Sequence, residues 1–514
     1  MHYLLRRTRR VKLILPALTE ATSPYWRPIK YSLFPPLGLA TLAAYLDPES
    51  AVTLQDEHVE ALNLDDDPDL VIIQVYITNA YRAYRIADHY RRKGAHVALG
   101  GLHVTSLPDE AAPHADTIFL GPGEDTFPQF LRDLAGGTPQ RRYVSRLRTL
   151  DDLPPIRRDL IQRHRYLVPN SIVVSRGCPH HCTFCYKDAF FEGGRSFYTQ
   201  HVDAALAEIN RLPGRHLYFL DDHLLGHRKF ARELFTGMKG MNRVFQGAAT
   251  VDSILRDNTI EYAAAAGLRS LFVGFETLSE SGLAGARKRQ NLGRSYGDVI
   301  RRLDDLGIMI NGSFVFGFDT DDSEVFDRTV EFAIEMKLTM ASFALLCPYP
   351  ATALYKRLEA EGRLTDPHWW LRADHETTGP HFVPRALTPD RLREGWMRAW
   401  NRFYDWRSMW RRYTVRRESS WIQTTATLGF FLSLAVILAC RLGFGEEAFK
   451  AWGWRVPFLI SVALLAVSVY IRLRLQESPV FAEMKAEGRL SKAPLKESFG
   501  QWKNARVVLL ALFG

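Results

Sequence analysis

The sequence predicts an α/β protein in three parts: an N-terminal doubly wound, Rossmann-like parallel sheet, a central partial (βα)6 TIM-like barrel, and a C-terminal transmembrane helical hairpin. Three observations predict this. Short β-branched runs separated by helical patterns fill residues 11 to about 135. Six longer strand–helix units follow from Ser171. After about residue 418 the composition turns abruptly apolar. At 514 residues the chain exceeds one ordinary core. Its 46% apolar and 24% charged content is that of a folded protein.

In the first part, 1–135, a buried apolar run at 11–15 reads as a strand and 36–46 as a helix. Strands follow at 52–55, 70–75, 97–99 and 117–120, with an amphipathic helix at 81–92. The opening Thr8-Arg9-Arg10-Val11-Lys12-Leu13 has the look of a twin-arginine signal. Its apolar run stops at Leu18 and meets Thr19, Glu20 and Thr22, too short for a signal core. Residues 136–170, rich in Pro, Arg and Asp, read as a linker.

In the second part, 171–360, strands are expected at 172–175, 217–220, 245–249, 270–275, 312–316 and 341–346. Helices such as 202–211, 254–266 and 323–336 lie between them. Barrel chemistry gathers at the carboxyl ends of strands. The residue types found there fit: Cys178, then Asp221 and Asp222, Thr250 and Asp252, Glu276, Asp319 and Tyr349. A helical extension, 361–418, follows, with Trp396, Trp400, Phe403 and Trp406 on its pattern.

In the last part, 419–514, the runs 421–440 and 456–471 are nearly free of charge and of roughly bilayer-spanning length. Arg407, Arg411, Arg412, Arg416 and Arg417 precede the first; Arg472, Arg474 and several Lys follow the second. With Glu446 and Glu447 between, both ends should be cytoplasmic, placing the protein at a membrane with its catalytic domains facing the cytoplasm. The alternative is two buried helices.

Five cysteines occur, three within eight residues, which is no secreted disulfide framework and implies a reducing compartment. The net charge of +9 comes from Arg spread along the chain, without the aromatic–basic interleaving of a nucleic-acid platform, so no nucleic-acid partner is expected.

The chemistry-bearing segment is Arg176-Gly-Cys178-Pro-His-His-Cys182-Thr-Phe-Cys185-Tyr186, a Cys-x3-Cys-x2-Cys spacing. Three thiolates hold three irons of a cubane and leave the fourth iron open, a vacancy that a four-cysteine electron-transfer site lacks. A zinc site with His180 or His181 as fourth ligand is the alternative. The position after a strand and among six βα units weighs against it.

On these cysteines, and on Phe219-Leu-Asp-Asp222, Gly274-Phe-Glu276-Thr, Lys288-Arg-Gln-Asn291, Gly312-Ser-Phe-Val-Phe-Gly317-Phe-Asp319 and Pro348-Tyr-Pro350-Ala-Thr-Ala-Leu-Tyr355, residues 11–410 resemble the cobalamin-binding-domain subgroup of the radical S-adenosylmethionine (SAM) superfamily. That subgroup includes enzymes of bacteriochlorophyll and hopanoid biosynthesis. The resemblance implies a [4Fe–4S] cluster on Cys178, Cys182 and Cys185, with SAM on the open iron. Reductive cleavage of SAM would give methionine and a 5′-deoxyadenosyl radical, at the expense of a reductant such as ferredoxin or flavodoxin. It also implies that Phe184 and Tyr186 lie near the adenine and that Asp221, Asp222 and Glu276 line the SAM pocket. Packing for Phe184 and a helix N-cap for Asp222 are the plainer roles.

For cobalamin the residues leave two readings open: a cofactor bound without a protein imidazole, or a sheet domain that has lost its cofactor. Asp56-Glu-His58-Val-Glu-Ala61 nearly spells Asp-x-His-x-x-Gly, but it follows the second strand instead of the first, and Ala61 replaces Gly. His58 is therefore read as a surface histidine. Thr78, Gly100-Gly101-Leu-His103 and Gly121-Pro-Gly123-Glu124 end strands three, four and five, where open sheets bind ligands.

The segments Trp421-Ile-Gln-Thr-Thr-Ala-Thr-Leu-Gly429, Trp452-Gly-Trp-Arg-Val-Pro457-Phe and Gln476-Glu-Ser-Pro479-Val-Phe481 resemble the metabolite–proton symporter branch of the major facilitator superfamily. The matching part is two middle helices, a loop and the start of a third, too little for a transport site built between two halves. A gene fusion, a misjoined reading frame or a membrane anchor would each account for it. The expected function is a membrane-attached radical SAM enzyme acting on a small molecule, lipid- or pigment-like. The alternative is a transporter fragment with a passenger radical SAM domain.

Overall fold

Six parallel strands form the first sheet of the computed structural model, which describes residues 9–17, 32–374, 379–412 and 455–456. They are β1 (Arg10–Leu15), β2 (Ala51–Asp56), β3 (Leu70–Gln74), β4 (His96–Gly100), β5 (Thr117–Leu120) and β6 (Arg142–Val144), in the order β2-β1-β3-β4-β5-β6. Val11, Leu13 and Ile14 on β1 are all buried, as are Leu70 to Ile73 on β3. Strands covered on both faces read as nearly continuous apolar runs, as β3 does; β1 is interrupted only by Lys12, whose buried ammonium bonds to Asp66 and Tyr90. The order reverses between β1 and β3, which opens a crevice at the carboxyl ends of the strands.

The stretch expected to be a linker is not bare. Its β6 pairs with β5 in the register Phe119↔Tyr143, and Tyr143 stacks on Phe119 at 5.5 Å between ring centroids. A three-residue strand with one buried position is too short for any periodicity to reveal it. Further along, Tyr166 donates its hydroxyl proton to Asp56 at 3.0 Å and fixes the segment beneath the sheet's β2 end.

The second sheet contains β7 (Ser171–Ile172), then β10 (His216–Phe219), β11 (Val244–Ala249), β12 (Leu268–Glu276), β13 (Met309–Phe316) and β14 (Met340–Leu345), parallel and in chain order. That is the strand order of an open (βα)6 barrel. Its first strand is shorter than expected. The chain leaves the sheet after Ile172, and β8 (Ser175–Gly177) pairs antiparallel with β9 (Phe197–Thr199). The cause is Asp221, whose carboxylate accepts the N–H groups of Val174 and Ser175 and draws them off the strand path. The helix expected at 254–266 is likewise two, Val251–Arg256 and Thr259–Ala266. Asp257 accepts the Thr259 N–H at 2.8 Å and starts the second.

The extension packs back on both sheets. Helix Pro389–Phe403 lies against β14, where Trp396 and Trp400 both donate their indole N–H to the Phe343 carbonyl, at 2.8 and 2.9 Å. Trp370 enters the core of the first sheet, fully buried, and donates to Glu110 at 3.0 Å. Apart from residues 455–456, all of this belongs to one unit, Met1–Thr414. The expected hairpin at 421–440 and 456–471 lies outside the described residues, Val456 excepted. Among the described residues no helix is long and apolar enough to cross a membrane.

Trp370→Ala should cost about 3–5 kcal/mol through the cavity left in the first sheet's core. The check is the shift in urea midpoint; a loss under about 1 kcal/mol would show that the indole does not tie the extension down.

Candidate active site

The three-cysteine loop starts where β8 ends. Gly177, at φ 78°, is pressed against the Ser196 carbonyl where a Cβ could not fit, so the turn into Cys178 requires glycine. The Cys178 N–H bonds to the Ser196 carbonyl at 3.1 Å, and the Cys185 N–H to the Cys182 carbonyl at 3.1 Å. Thr183 is held on one side by the Ala286 carbonyl and on the other by the Leu354 N–H.

None of the three cysteines is in a disulfide. Burial pushes Cys178 up to about 11 and Cys185 up to about 12, and the neighbouring thiol of Cys182 adds to both. Thiols that crowd one another in a buried loop are poor nucleophiles and become thiolates when a cation shares the site. Two lysines back them. For Lys288, burial works against the charge, but Glu276 and then Cys182 lift its pKa above the usual lysine value. Lys187, 2% exposed, lowers the Cys178 pKa from the other side. Gln290 donates an N–H to the Cys182 sulfur at 3.5 Å, the kind of bond that tunes iron–sulfur sites. This donor set fits an anionic cluster.

Glu276 ends β12 at a bulge with φ 66°, and its carboxylate takes the Lys288 ammonium at 2.6 Å. Asn291 locks the bulge by donating to the carbonyls of Gly274 and Phe275, at 2.9 and 3.1 Å. Lys288, Gln290 and Asn291 thus couple the strand end to the cluster loop. Their roles could not be read from the motif alone.

Asp221 and Asp222 part company. Asp221 is buried with its carboxylate on the Val174 and Ser175 amides and the Ser175 hydroxyl, and burial pushes it up to about 7. Asp222 accepts the Gly177 N–H at 3.0 Å and the Tyr186 hydroxyl at 2.8 Å. Phe184 meets Phe318 edge to face, 6.1 Å between centroids, beside a small pocket that also includes Gly282 and Asp319.

A larger cavity, of about 280 Å³, opens between the two sheets. Gly100, Gly101, Gly121, Gly123 and Glu124 line its floor; Arg176, Tyr186 and Asp222 line the barrel side. Gly101, at φ 112°, lies against the Val75 carbonyl, so a side chain there would collide with the sheet. Beside Gly121 the Ser145 hydroxyl is buried without a partner. A floor of bare glycine backbone fits a large flat cofactor. Glu124 also forms an ion pair with Arg176, which closes one rim of the cavity. Thr78 sits in the turn Ile77–Asn79 and is not among the lining residues. His58, half-buried, is bound to Asp56 at 2.7 Å, and no histidine lines the cavity among the described residues.

Residues 31–131 match the family described as B12 binding domain, and residues 172–333 match the Radical SAM superfamily. Residues 352–427 match a domain of unknown function, DUF4070, which runs across the composition change at about residue 418. The chain is similar to the bacteriochlorophyllide d C-12(1)-methyltransferase of Chlorobaculum tepidum, 27% identical over 384 residues, 72% of this chain and 82% of that protein. It shares a fold with the radical SAM methyltransferase TsrM of Kitasatospora setae, solved with cobalamin and a [4Fe–4S] cluster. The TM-score is 0.54 at 17% identity, over 69% of this chain and 78% of that one. A putative metabolite transport protein of Haemophilus influenzae is 40% identical over 75 residues, only 15% of this chain and 17% of the transporter.

Replacing Cys178, Cys182 or Cys185 by Ala should drop iron from about four per reconstituted chain to under about one and end SAM cleavage. Undiminished cleavage in any one variant would remove that cysteine from the site.

Proposed function

Since the chain is a radical SAM enzyme with a [4Fe–4S] cluster, SAM and cobalamin as its cofactors, we propose that it is a methyltransferase acting on a bulky, lipid- or pigment-like small molecule. The observation that carries the reading is the single cavity with the glycine floor of the B12 domain on one side and the flanks of the cluster loop on the other. When bound, the cluster and SAM supply radical chemistry at carbon, and cobalamin supplies a carried methyl group. The similarity to a bacteriochlorophyllide methyltransferase supports both the methyl transfer and the large substrate.

Cys178, Cys182 and Cys185 would hold the cluster. Lys288 keeps a positive charge beside the thiolates and holds Glu276 at the end of β12, where that carboxylate would face SAM. Tyr186, its pKa raised by burial and by Asp222, stays protonated and orients the Asp222 carboxylate at the cavity edge. Phe184 offers an apolar face for the adenine. Asp221, whose carboxylate takes the Val174 and Ser175 amides and the Ser175 hydroxyl, would act by shaping the loop instead of by touching SAM. The backbone at Gly100, Gly101, Gly121 and Gly123 would seat the cobalamin, and no protein imidazole would reach its metal.

A small reductant protein of the ferredoxin or flavodoxin class would deliver the electron. The apolar runs at 421–440 and 456–471 fit attachment to a membrane, with the catalytic part facing the cytoplasm. Transport is not part of the proposal, because the similar stretch spans 17% of the transport protein.

Holoenzyme given SAM with a deuterated methyl group, a reductant and an extract of lipids and pigments should yield products that carry the intact label. Abundant 5′-deoxyadenosine with no labelled product would overturn methyl transfer. His58→Ala should leave the visible spectrum of bound cobalamin unchanged, and a shifted spectrum would make His58 an axial ligand.

A further inference from the structure

Two histidines and a carboxylate not used above meet at the mouth of the barrel. His180 lies inside the cluster loop, His223 follows Asp222 after β10, and Asp252 follows β11. One donor atom from each lies within 4.8 Å of the other two. His180 Nε2 stands 3.8 Å from Asp252 Oδ1. That is too long for a hydrogen bond and a normal spacing for two ligands of one cation. The rings of His180 and His223 face each other, with centroids 5.8 Å apart and planes 25° from parallel.

Hydrogen bonds set the tautomer of His223. Thr250 gives its hydroxyl proton to Asp252, its nearest acceptor, and so accepts from His223 Nε2, 3.1 Å away. The N–H of His223 is therefore on Nε2, and Nδ1 presents a bare lone pair. Nδ1 is buried without a hydrogen-bond partner, in a residue 1% exposed. A buried acceptor with nothing bound to it is costly and calls for a ligand. An imidazole that donates its other N–H is also the arrangement that orients metal-bound histidines. Thr250 passes that bond on to Asp252, so one hydroxyl aligns two of the three donors.

We propose that His180, His223 and Asp252 bind one divalent transition-metal ion of the zinc or iron(II) class, separate from the cluster. Two imidazoles and one carboxylate suit such borderline cations. His223 is the buried anchor; His180 and Asp252 are only partly buried, which leaves a side for water or for an oxygen or nitrogen of the substrate. The site stands at the carboxyl ends of two adjacent barrel strands, beside the cysteine loop, where a held substrate group would face the radical chemistry.

The test is anaerobic holoenzyme equilibrated with Zn²⁺ and then desalted. About one zinc per chain should remain beyond the iron, with only nitrogen and oxygen neighbours at roughly 2.0–2.2 Å by X-ray absorption at the zinc edge. His223→Ala and Asp252→Asn should each weaken zinc at least about tenfold while iron stays constant. Thr250→Val, which keeps every ligand, should weaken it by about 10–100-fold. Wild type that keeps no zinc would overturn the proposal. So would a sulfur neighbour at about 2.3 Å, placing the zinc in the cysteine loop. Variants that hold zinc as tightly as wild type, or that lose iron and zinc together, would count against it equally.

Discussion

Two neighbouring carboxylates hold the entrance of the cysteine loop, and the layout of the whole site depends on them. Asp221 takes the amides of Val174 and Ser175, and Asp222 takes the amide of Gly177. Between them they turn the chain out of the barrel sheet after β7 and into the β8–β9 pair. Without that turn the first strand would run on, and the cysteines would leave the barrel mouth. The cost is a carboxyl group buried deeply enough to sit at about 7, which the amide and hydroxyl donors partly offset. Asp222 has a second duty, since Tyr186 binds the same carboxylate at the cavity edge. The position of the loop and the shape of the cavity are thus set by one dipeptide.

The segment Lys288 to Asn291 balances this on the far side. Its lysine neutralises Glu276, its glutamine reaches a cysteine sulfur, and its asparagine holds the bulge that aims Glu276. Glu276 keeps the buried Lys288 charged, and the same ammonium faces Cys182 and Cys178, so it favours their thiolate forms. The protein therefore holds positive charge where an anionic centre is to form, which is electrostatic preorganisation.

The strand-and-helix alternation was legible because parallel strands buried on both faces leave nearly continuous apolar runs, as in β3. What stayed hidden was short or depended on a side chain from elsewhere. β6 is three residues long, and the split at Asp257 rests on one side-chain bond to Thr259. Strand-end logic singled out Asp221 and Asp222 together, but it could not distinguish a carboxylate bound to backbone from one facing a pocket. The Cys-x3-Cys-x2-Cys spacing survives in sequence because all its members lie on one loop. The three groups at residues 180, 223 and 252 lie on three separate segments, and only the barrel's curvature brings them together.

The cysteine spacing has a further consequence. Three residues separate Cys178 from Cys182, and the two histidines among them face opposite ways. His181 is exposed, 68% for its side chain, and bonds to Asp188 on the outer surface. His180 turns inward to meet His223 and Asp252. A loop that wraps its sulfurs around one centre must direct the intervening side chains away from that centre, some outward and some toward the barrel axis. An inward side chain at residue 180 is therefore carried by the same turn that gathers the cysteines. A histidine there brings a nitrogen donor to the mouth of the barrel, where most other residue types would bring only packing or a charge without coordination geometry. The partners it meets, a buried imidazole and a hydroxyl-linked carboxylate, come from the next two strands. The iron–sulfur loop and the inner polar cluster are thus two faces of one backbone turn, and moving either would displace the other.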